Sequence, residues 1–253
     1  DMDWLISHVQ SNEDVHIRSL TNDYTILVLA GPKARDVLNA CSRGDWSKEA
    51  FPWLSARECF IGIAPATVLG VSFSGELAYE IHVPNASLYA TYLVLREAGD
   101  PMGMNLFGAR AVESMRMEKG YLHWKADLIT EFDPYETGLD RFVKMGKGDF
   151  IGKKALETRV AEGPRRKLVA LQVDTDTAPA HPGASVVDGD VVVGTVTSGD
   201  WGHRVGKNLA YAFIEVENSS VGAAVEIDMA GETATATIIE PSPYDPSASL
   251  CRD

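Results

Sequence analysis

Hydrophobic and polar positions alternate between two periods in the first half of the chain. Trp4, Leu5, His8 and Val9 recur at helical spacing over residues 3–10. A turn signal at Asn22-Asp23 precedes the continuous apolar run TILVLA, which stops at Gly31-Pro32 and predicts a buried strand. Ala34, Val37 and Leu38 then restore a helical period over 33–40. Residues 59–72 are rich in strand formers around a proline-marked interruption, and Phe73 to Val83 alternates as a strand with a kink or turn at Gly75. Helices are predicted over 86–99, capped by Gly99, and from about Phe107 to Lys119, closed by Gly120.

From about Arg165 the pattern changes. KLVALQVD, ASVVDGDVVVGTVTSG, LAYAFIEV and AAVEIDMAGETATATIIE are short β-branched runs separated by Asp-Gly, Ser-Gly and Ala-Gly turns, with a hairpin signal at Asp188-Gly189. This tail reads as an all-β barrel or sandwich. The polar Gly-Pro stretch at 161–166 marks the boundary. The organisation is therefore an α+β domain over 1–162 and an all-β domain over 163–253, with no internal repeat.

Composition narrows the classes. The 253 residues are 45% hydrophobic and 23% charged, an ordinary globular balance. No apolar run approaches the roughly 18 residues of a membrane span. A net charge of −13 argues against nonspecific binding to nucleic acid or anionic membranes. Cys41, Cys59 and Cys251 lie far apart without a CxxC pair, so neither a disulfide framework nor a metal site is expected, and a reducing cytoplasmic location fits. The opening DMDWLISHVQ lacks the features of a secretory signal and leads straight into a helical pattern, as though the chain were cut from something longer.

Common catalytic signatures are missing: no GxGxxG after a strand, no GxxxxGK[ST], no HExxH and no GxSxG. Four other clusters remain. In SFSGELAYEIHVP, alternation puts Glu76, Ala78, Glu80 and His82 on one face and Leu77, Tyr79, Ile81 and Val83 on the other. The polar face is either a solvated surface or a carboxylate site for the N–H edge of a flat, amino-bearing heterocycle. In FGARAVESMRMEKGYLHW, Arg110, Ser114, Met117 and Tyr121 share a helical stripe. Arg110 there either pairs with a surface acid such as Glu113 or orients a bound ring, and Tyr121, His123 and Trp124 make either a pocket wall or a packed corner. In DPYETGLDRFVKMGKGDFIGKKAL, Asp133-Pro134 blocks helix continuation and Gly138 permits an unusual backbone angle. Arg141 with Lys144, Lys147, Lys153 and Lys154 forms either a solvated loop or a lure for an anionic tail. The fourth, TSGDWGHRVGKNLAYAF, reads first as a long hairpin loop.

Together these segments resemble the folate-dependent aminomethyltransferase (glycine cleavage T-protein) superfamily, most of all the C-terminal folate half of sarcosine and dimethylglycine dehydrogenases. SGELAYEIHVP, FGARAVESMRMEKGYLHWKADL, DPYETGLDRFVKMGKGDFIGKKAL and GTVTSGDWGHRVGKNLAYAFI carry the resemblance, in the family's order and over nearly the whole chain. EKGYLHW leans toward the sarcosine branch. The resemblance implies an antiparallel sheet with helices, incomplete at its N-terminus, followed by a small barrel. It implies a tetrahydrofolate site in which Glu80 matches the pterin-contacting carboxylate, with Ile81 and His82 beside it on the strand. Phe73 stands where the family usually has a stacking tyrosine, Arg110 matches a ring-contacting arginine, Tyr121 lies on the same wall, and Arg141 replaces an often aromatic pocket residue. The family's catalytic carboxylate is expected upstream of Asp1, as is FAD in a flavin domain or partner subunit. The implied activity is capture of an oxidised N-methyl carbon as methylenetetrahydrofolate, with folate and a methylamine-derived compound as small-molecule partners. Two alternatives stand beside it: a flavin-free aminomethyltransferase or folate-dependent demethylase, and a noncatalytic folate-binding scaffold. The scaffold branch carries a Lys-x-Gly-Cys segment after its long helix, whereas this chain has Glu118-Lys119-Gly120-Tyr121 and no cysteine there.

Overall fold

The computed structural model describes residues 1–252, which divide into two compact units. Residues 1–72, 76–106 and 250–252 form the first unit. It contains α1 (Met2–Ser7), β1 (Tyr24–Ala30), α2 (Ala34–Cys41), β2 (Ala56–Ile61), β3 (Ala64–Leu69), β4 (Ala78–Pro84) and α3 (Leu88–Gly99). The four strands make an antiparallel sheet in the order β1-β4-β3-β2. One face of that sheet is the core side, where Leu29, Val68, Tyr79, Ile81 and Val83 pack with Val37 and Leu38 of α2, Leu95 of α3, Trp46 and Phe51. TILVLA makes up β1 from Thr25 to Ala30, but it is not the buried strand its apolar run predicts: Leu29 is buried while Ile26 and Val28 on the other face are exposed. α2 buries Ala34, Val37 and Leu38 as their spacing predicts.

Two further expectations need correcting here. The break in residues 59–72 falls at Gly62-Ile63, where Gly62 takes φ +60 and turns the β2–β3 hairpin; Pro65 sits inside β3. Proline is tolerated there because β3 meets β4 only from Thr67 onward, so no ladder bond is lost on that side. The strand expected from Phe73 begins only at Ala78. Residues 73–77 bend, with Gly75 at φ +82, a conformation that favours glycine.

Residues 73–75 and 107–249 form the second unit. It comprises α4 (Ala109–Lys119), α5 (Pro134–Thr137), α6 (Lys153–Glu162), β5 (Arg166–Val173), β6 (Ser185–Asp188), β7 (Val191–Gly202), β8 (Lys207–Glu215), β9 (Ala224–Asp228) and β10 (Thr233–Ile239). The strands close an antiparallel six-stranded barrel in the order β10-β5-β8-β7-β6-β9. Leu171, Val186, Val196, Ala210, Ala212, Ile214, Ile227 and Ile238 fill its interior. Every residue of β8 from Asn208 to Ile214 is buried. Its apolar run follows from cover on both faces: the barrel core inside, and Met117 of α4 packed with Leu209 and Tyr211 outside. The Asp188-Gly189 hairpin joins β6 to β7 as expected. Asp133-Pro134, read as a helix stop, instead starts α5. Asp133 caps the backbone N–H groups of Tyr135 and Glu136, Glu136 returns the bond in a capping box, and proline occupies the first turn, where it has no N–H to lose.

Candidate functional site

In the first unit, β4 alternates strictly from Tyr79: Tyr79, Ile81 and Val83 go to the core, while Glu80 and His82 face the other way. The side chain of Ile81 is wholly inside the core. His82 Nε2 lies 3.2 Å from Glu80 Oε2, with the side chains 29% and 36% exposed. Register places Glu80 between Val28 and Leu69, and His82 between Ile26 and Thr67. This face is open: Tyr24, Ile26 and Val28 of β1 are all exposed although apolar. A cleft of about 510 Å³ runs along it, lined by Leu20, Tyr24, Ile26, Thr67, Leu69 and His82. A broader groove of about 980 Å³ shares Tyr24 and Thr67 with it and extends over Phe60 and Ile63. The arrangement offers a paired carboxylate and imidazole on an apolar, accessible floor. Such a surface accepts hydrogen bonds from the edge of a flat heterocycle whose faces contact the apolar side chains. Glu76, grouped with Glu80 by alternation, precedes the strand and lies outside this row.

The other expected residues belong to the second unit. Phe73 and Tyr121 lie in nearly parallel planes, 8° apart, with ring centroids 6.3 Å from one another, and Phe73 is 38% exposed. Arg110 is exposed in the first turn of α4, whereas Ser114 and Met117 of its stripe are buried. Arg141 is exposed in a short 3-10 turn, its guanidinium over the Phe142 ring at 4.8 Å. His123 and Trp124 are exposed as well.

Sequence reasoning missed the charged residues that the second unit buries. Arg116 is 0% exposed and donates to Asp127 Oδ2 at 2.6 Å, to Ser198 Oγ at 2.8 Å, to the Tyr121 carbonyl at 3.1 Å and to Glu113 Oε1 at 2.9 Å. Burial opposes its charge, but the bonds and fields of Glu113 and Asp127 outweigh that, holding the guanidinium above its ordinary range. Asp127 is equally buried and also accepts from Thr197 and Ser198 hydroxyls, each at 2.6 Å, and from the His123 N–H. A bulge in β7 at Thr197 brings two consecutive hydroxyls to one carboxylate oxygen. Glu118 is wholly buried and accepts from the backbone N–H of Arg204 at 2.5 Å and from its guanidinium Nε. Lys119 is buried against Asp245, 2.9 Å away. Ser198 and Thr197, Arg204 and Asp245, which complete these networks, stand 70 or more residues away in sequence, beyond the reach of any local pattern. The one available signal was a helix end carrying more charge than a solvated stripe needs, opposite the polar TSGDWGHR run.

Among the described residues no group of acidic, histidine and cysteine side chains could hold a metal ion, and no helix is long and apolar enough to cross a membrane. A family model described as the GCVT N-terminal domain matches residues 1–147. A second, the glycine cleavage T-protein C-terminal barrel domain, matches residues 166–245. Mitochondrial dimethylglycine dehydrogenase of Rattus norvegicus is 35% identical over 242 residues, which are 95% of this chain and 28% of that protein. An aminomethyltransferase of Symbiobacterium thermophilum is 31% identical over 245 residues, covering 95% of this chain and 65% of the relative. The crystal structure of glycine cleavage system aminomethyltransferase T from Bartonella henselae superposes with a TM-score of 0.78 at 24% identity, over 88% of this chain and 60% of that one. That likeness shows the fold: a mixed helix and antiparallel-sheet domain followed by a closed barrel. The chain thus spans just over a quarter of the dehydrogenase it matches and about two thirds of the aminomethyltransferase.

Proposed function

Because this chain belongs to the glycine cleavage T-protein family, we propose that it is the tetrahydrofolate-binding, one-carbon-accepting part of an enzyme acting on N-methyl amines of the sarcosine and dimethylglycine kind. The observation that carries the reading is the Glu80–His82 pair on the open face of β4, where His82 lines the 510 Å³ cleft and the Glu80 carboxylate lies 3.2 Å from its ring. A pterin fits that chemistry. Its amino and ring N–H groups form a donor edge that a carboxylate accepts in two parallel bonds, and its flat faces match apolar walls. Glu80 would hold the edge and His82 would fix the Glu80 carboxylate. Taken by itself, the second unit offers what the family resemblance implies there: stacking faces on Phe73 and Tyr121, Arg110 to fix ring orientation, and Arg141 at the pocket position that is often aromatic. In the bound state folate supplies the nitrogen that takes up the one-carbon unit; the role of this chain is to position it and to limit loss of that unit to water. The catalytic carboxylate and any flavin are assigned to no residue here, and a cytoplasmic location belongs to the same proposal.

The dehydrogenase reading rests on the higher identity to the dimethylglycine enzyme. The larger share of the aminomethyltransferase that is matched favours a flavin-free transferase as the second reading. Calorimetric titration with tetrahydrofolate, beside Glu80→Ala, tests what both share. Micromolar binding that the variant loses about tenfold or more is expected, since a charged hydrogen bond contributes about 1.5–3 kcal/mol. Equal binding by the two proteins would remove Glu80 from the site, and no binding by either would overturn the folate reading for this chain.

A further inference from the structure

The loop Phe73-Ser74-Gly75 packs with the second unit although Ser72 before it and Glu76 after it belong to the first. Two cations hold it there, Arg204 partly buried and Lys119 buried. Arg204 Nη2 donates to the Ser74 carbonyl at 3.0 Å and to the Met115 carbonyl at 2.7 Å. Its Nε is bonded to the wholly buried Glu118, and its planar face covers the Tyr244 ring at 3.8 Å. The aliphatic stem of Lys119 forms the other support. A Cβ on Gly75 would come within 2.8 Å of Lys119 Cδ and 2.9 Å of Cγ, so only glycine lets the loop lie this close. Ser74 itself is buried.

Tyr121 is held in the same manner by a different pair. Arg116 Nη1 donates to the Tyr121 carbonyl while the Tyr121 N–H returns to the Arg116 carbonyl at 2.9 Å, and Asp127 neutralises that guanidinium. Each of the two near-parallel aromatic rings therefore hangs from a backbone segment clamped by its own guanidinium–carboxylate unit. A guanidinium suits this task better than an ammonium. Its fixed fork reaches two carbonyls and a carboxylate at once, and it carries its charge at any physiological pH.

We propose that Arg204, held by Glu118, is a positioning residue for ligand binding: it fixes Phe73 opposite Tyr121 so that the two rings meet a flat heterocycle ready-aligned. This deepens the folate reading and rests on it for the identity of the ligand, while the alignment of the rings is a property of the protein alone. Arg204 does not touch the ligand in this scheme. Its effect passes entirely through Phe73.

A double-mutant cycle on this chain with Arg204→Met and Phe73→Ala, read by tetrahydrofolate titration, separates positioning from general support of the fold. Stacking on an aromatic face contributes about 1–3 kcal/mol, so Arg204→Met is expected to weaken binding about tenfold in the Phe73 background. In the Phe73→Ala background it should change binding less than about twofold. Arg204→Lys, which keeps the charge beside Glu118 but not the fork, should recover only part of the loss. An equal loss in both backgrounds, or none in either, overturns the proposal. A second arm needs no ligand: nuclear Overhauser contacts between the Phe73 and Tyr121 rings should be present in the wild-type protein. They should vanish in Arg204→Met while the amide spectrum of the barrel is retained. Ring contacts that persist in the variant overturn the proposal whether or not folate binds. Wild-type protein that shows the ring contacts but binds no folate sinks the folate reading and leaves the positioning role supported by this arm.

Discussion

Replacing Asp127 by alanine removes the carboxylate at the centre of the buried network and leaves Arg116 with its charge inside the protein. Asp127 accepts four hydrogen bonds, from Arg116, His123, Thr197 and Ser198, none of which water can replace at a residue that is 0% exposed. Breaking a buried pair by deleting one partner costs about 3–5 kcal/mol. Glu113 remains on the Nε side of the guanidinium and is partly exposed, so it keeps one counter-charge in place and puts the expected cost at the lower end, about 3–4 kcal/mol. Asp127→Asn keeps the Thr197 and Ser198 bonds but not the charge and should cost about 2 kcal/mol; Thr197→Val, which removes one hydroxyl donor, about 1 kcal/mol. Because the chain has two compact units, global denaturation need not be two-state, and amide hydrogen exchange in β7 and β8 gives the cleaner reading of the second unit. The opening free energy of those strands should fall in the order Ala, Asn, Val by the amounts given. A loss under about 1 kcal/mol for Asp127→Ala, or an asparagine variant as damaged as the alanine one, would refute the argument that an uncompensated buried guanidinium dominates.

Three further outcomes follow from the packing. Tyr211→Phe deletes the phenol that donates to the Met117 carbonyl at 2.6 Å in a buried setting, and should cost about 1–2 kcal/mol by the same exchange measurement. Gly199→Ala places a Cβ 2.0 Å from the Ala180 carbonyl oxygen, a backbone atom that cannot swing aside; a loss of about 3 kcal/mol or failure to fold is expected, read by thermal melting. Burial pushes the Cys41 thiol up to about 11 from its ordinary 9. The folded state therefore holds this proton more tightly than the unfolded chain does. The associated stability is complete below pH 9 and lost as pH rises toward 11, and Cys41→Ala should flatten that stretch of a stability–pH curve.

The helix under Leu95 and the barrel hairpin at Asp188-Gly189 were legible in the sequence because each carries its own signal, whereas TILVLA was legible as a strand but not as one with Ile26 and Val28 facing outward. Failures occurred where one residue type serves two ends. Asp-Pro reads as a helix stop from upstream and as a cap with proline from downstream, and the Asp133–Glu136 spacing, one side of a capping box, was the overlooked evidence. Alternation ran on through Phe73–Leu77 although Ser74-Gly75 turns the chain there, because period-two patterning persists through a short bend. Glu80 and His82 were placed correctly on one face because β4 alternates once it begins. The charges at the end of α4 were not legible at all. Whether Arg116, Glu118 and Lys119 meet solvent or counter-charge depends on Asp127, Arg204 and Asp245, up to 126 residues away.

That distance also bears on synthesis. The barrel closes only through β10, which pairs with both β5 and β9, and α4 finds its last partners in residues 241–245. The first unit, too, takes in residues 250–252, with Cys251 buried there and Arg252 over the Trp53 ring. The contacts of the barrel are therefore complete only once β10 has been made, and those of the first unit only once residues 250–252 have been. Before residue 245 is made Lys119 lacks Asp245, and before β10 is made the barrel stands open between β5 and β9. A nascent chain that lacks β10 is thus a ready client for a chaperone, the unclosed apolar face of the barrel being the surface to be held.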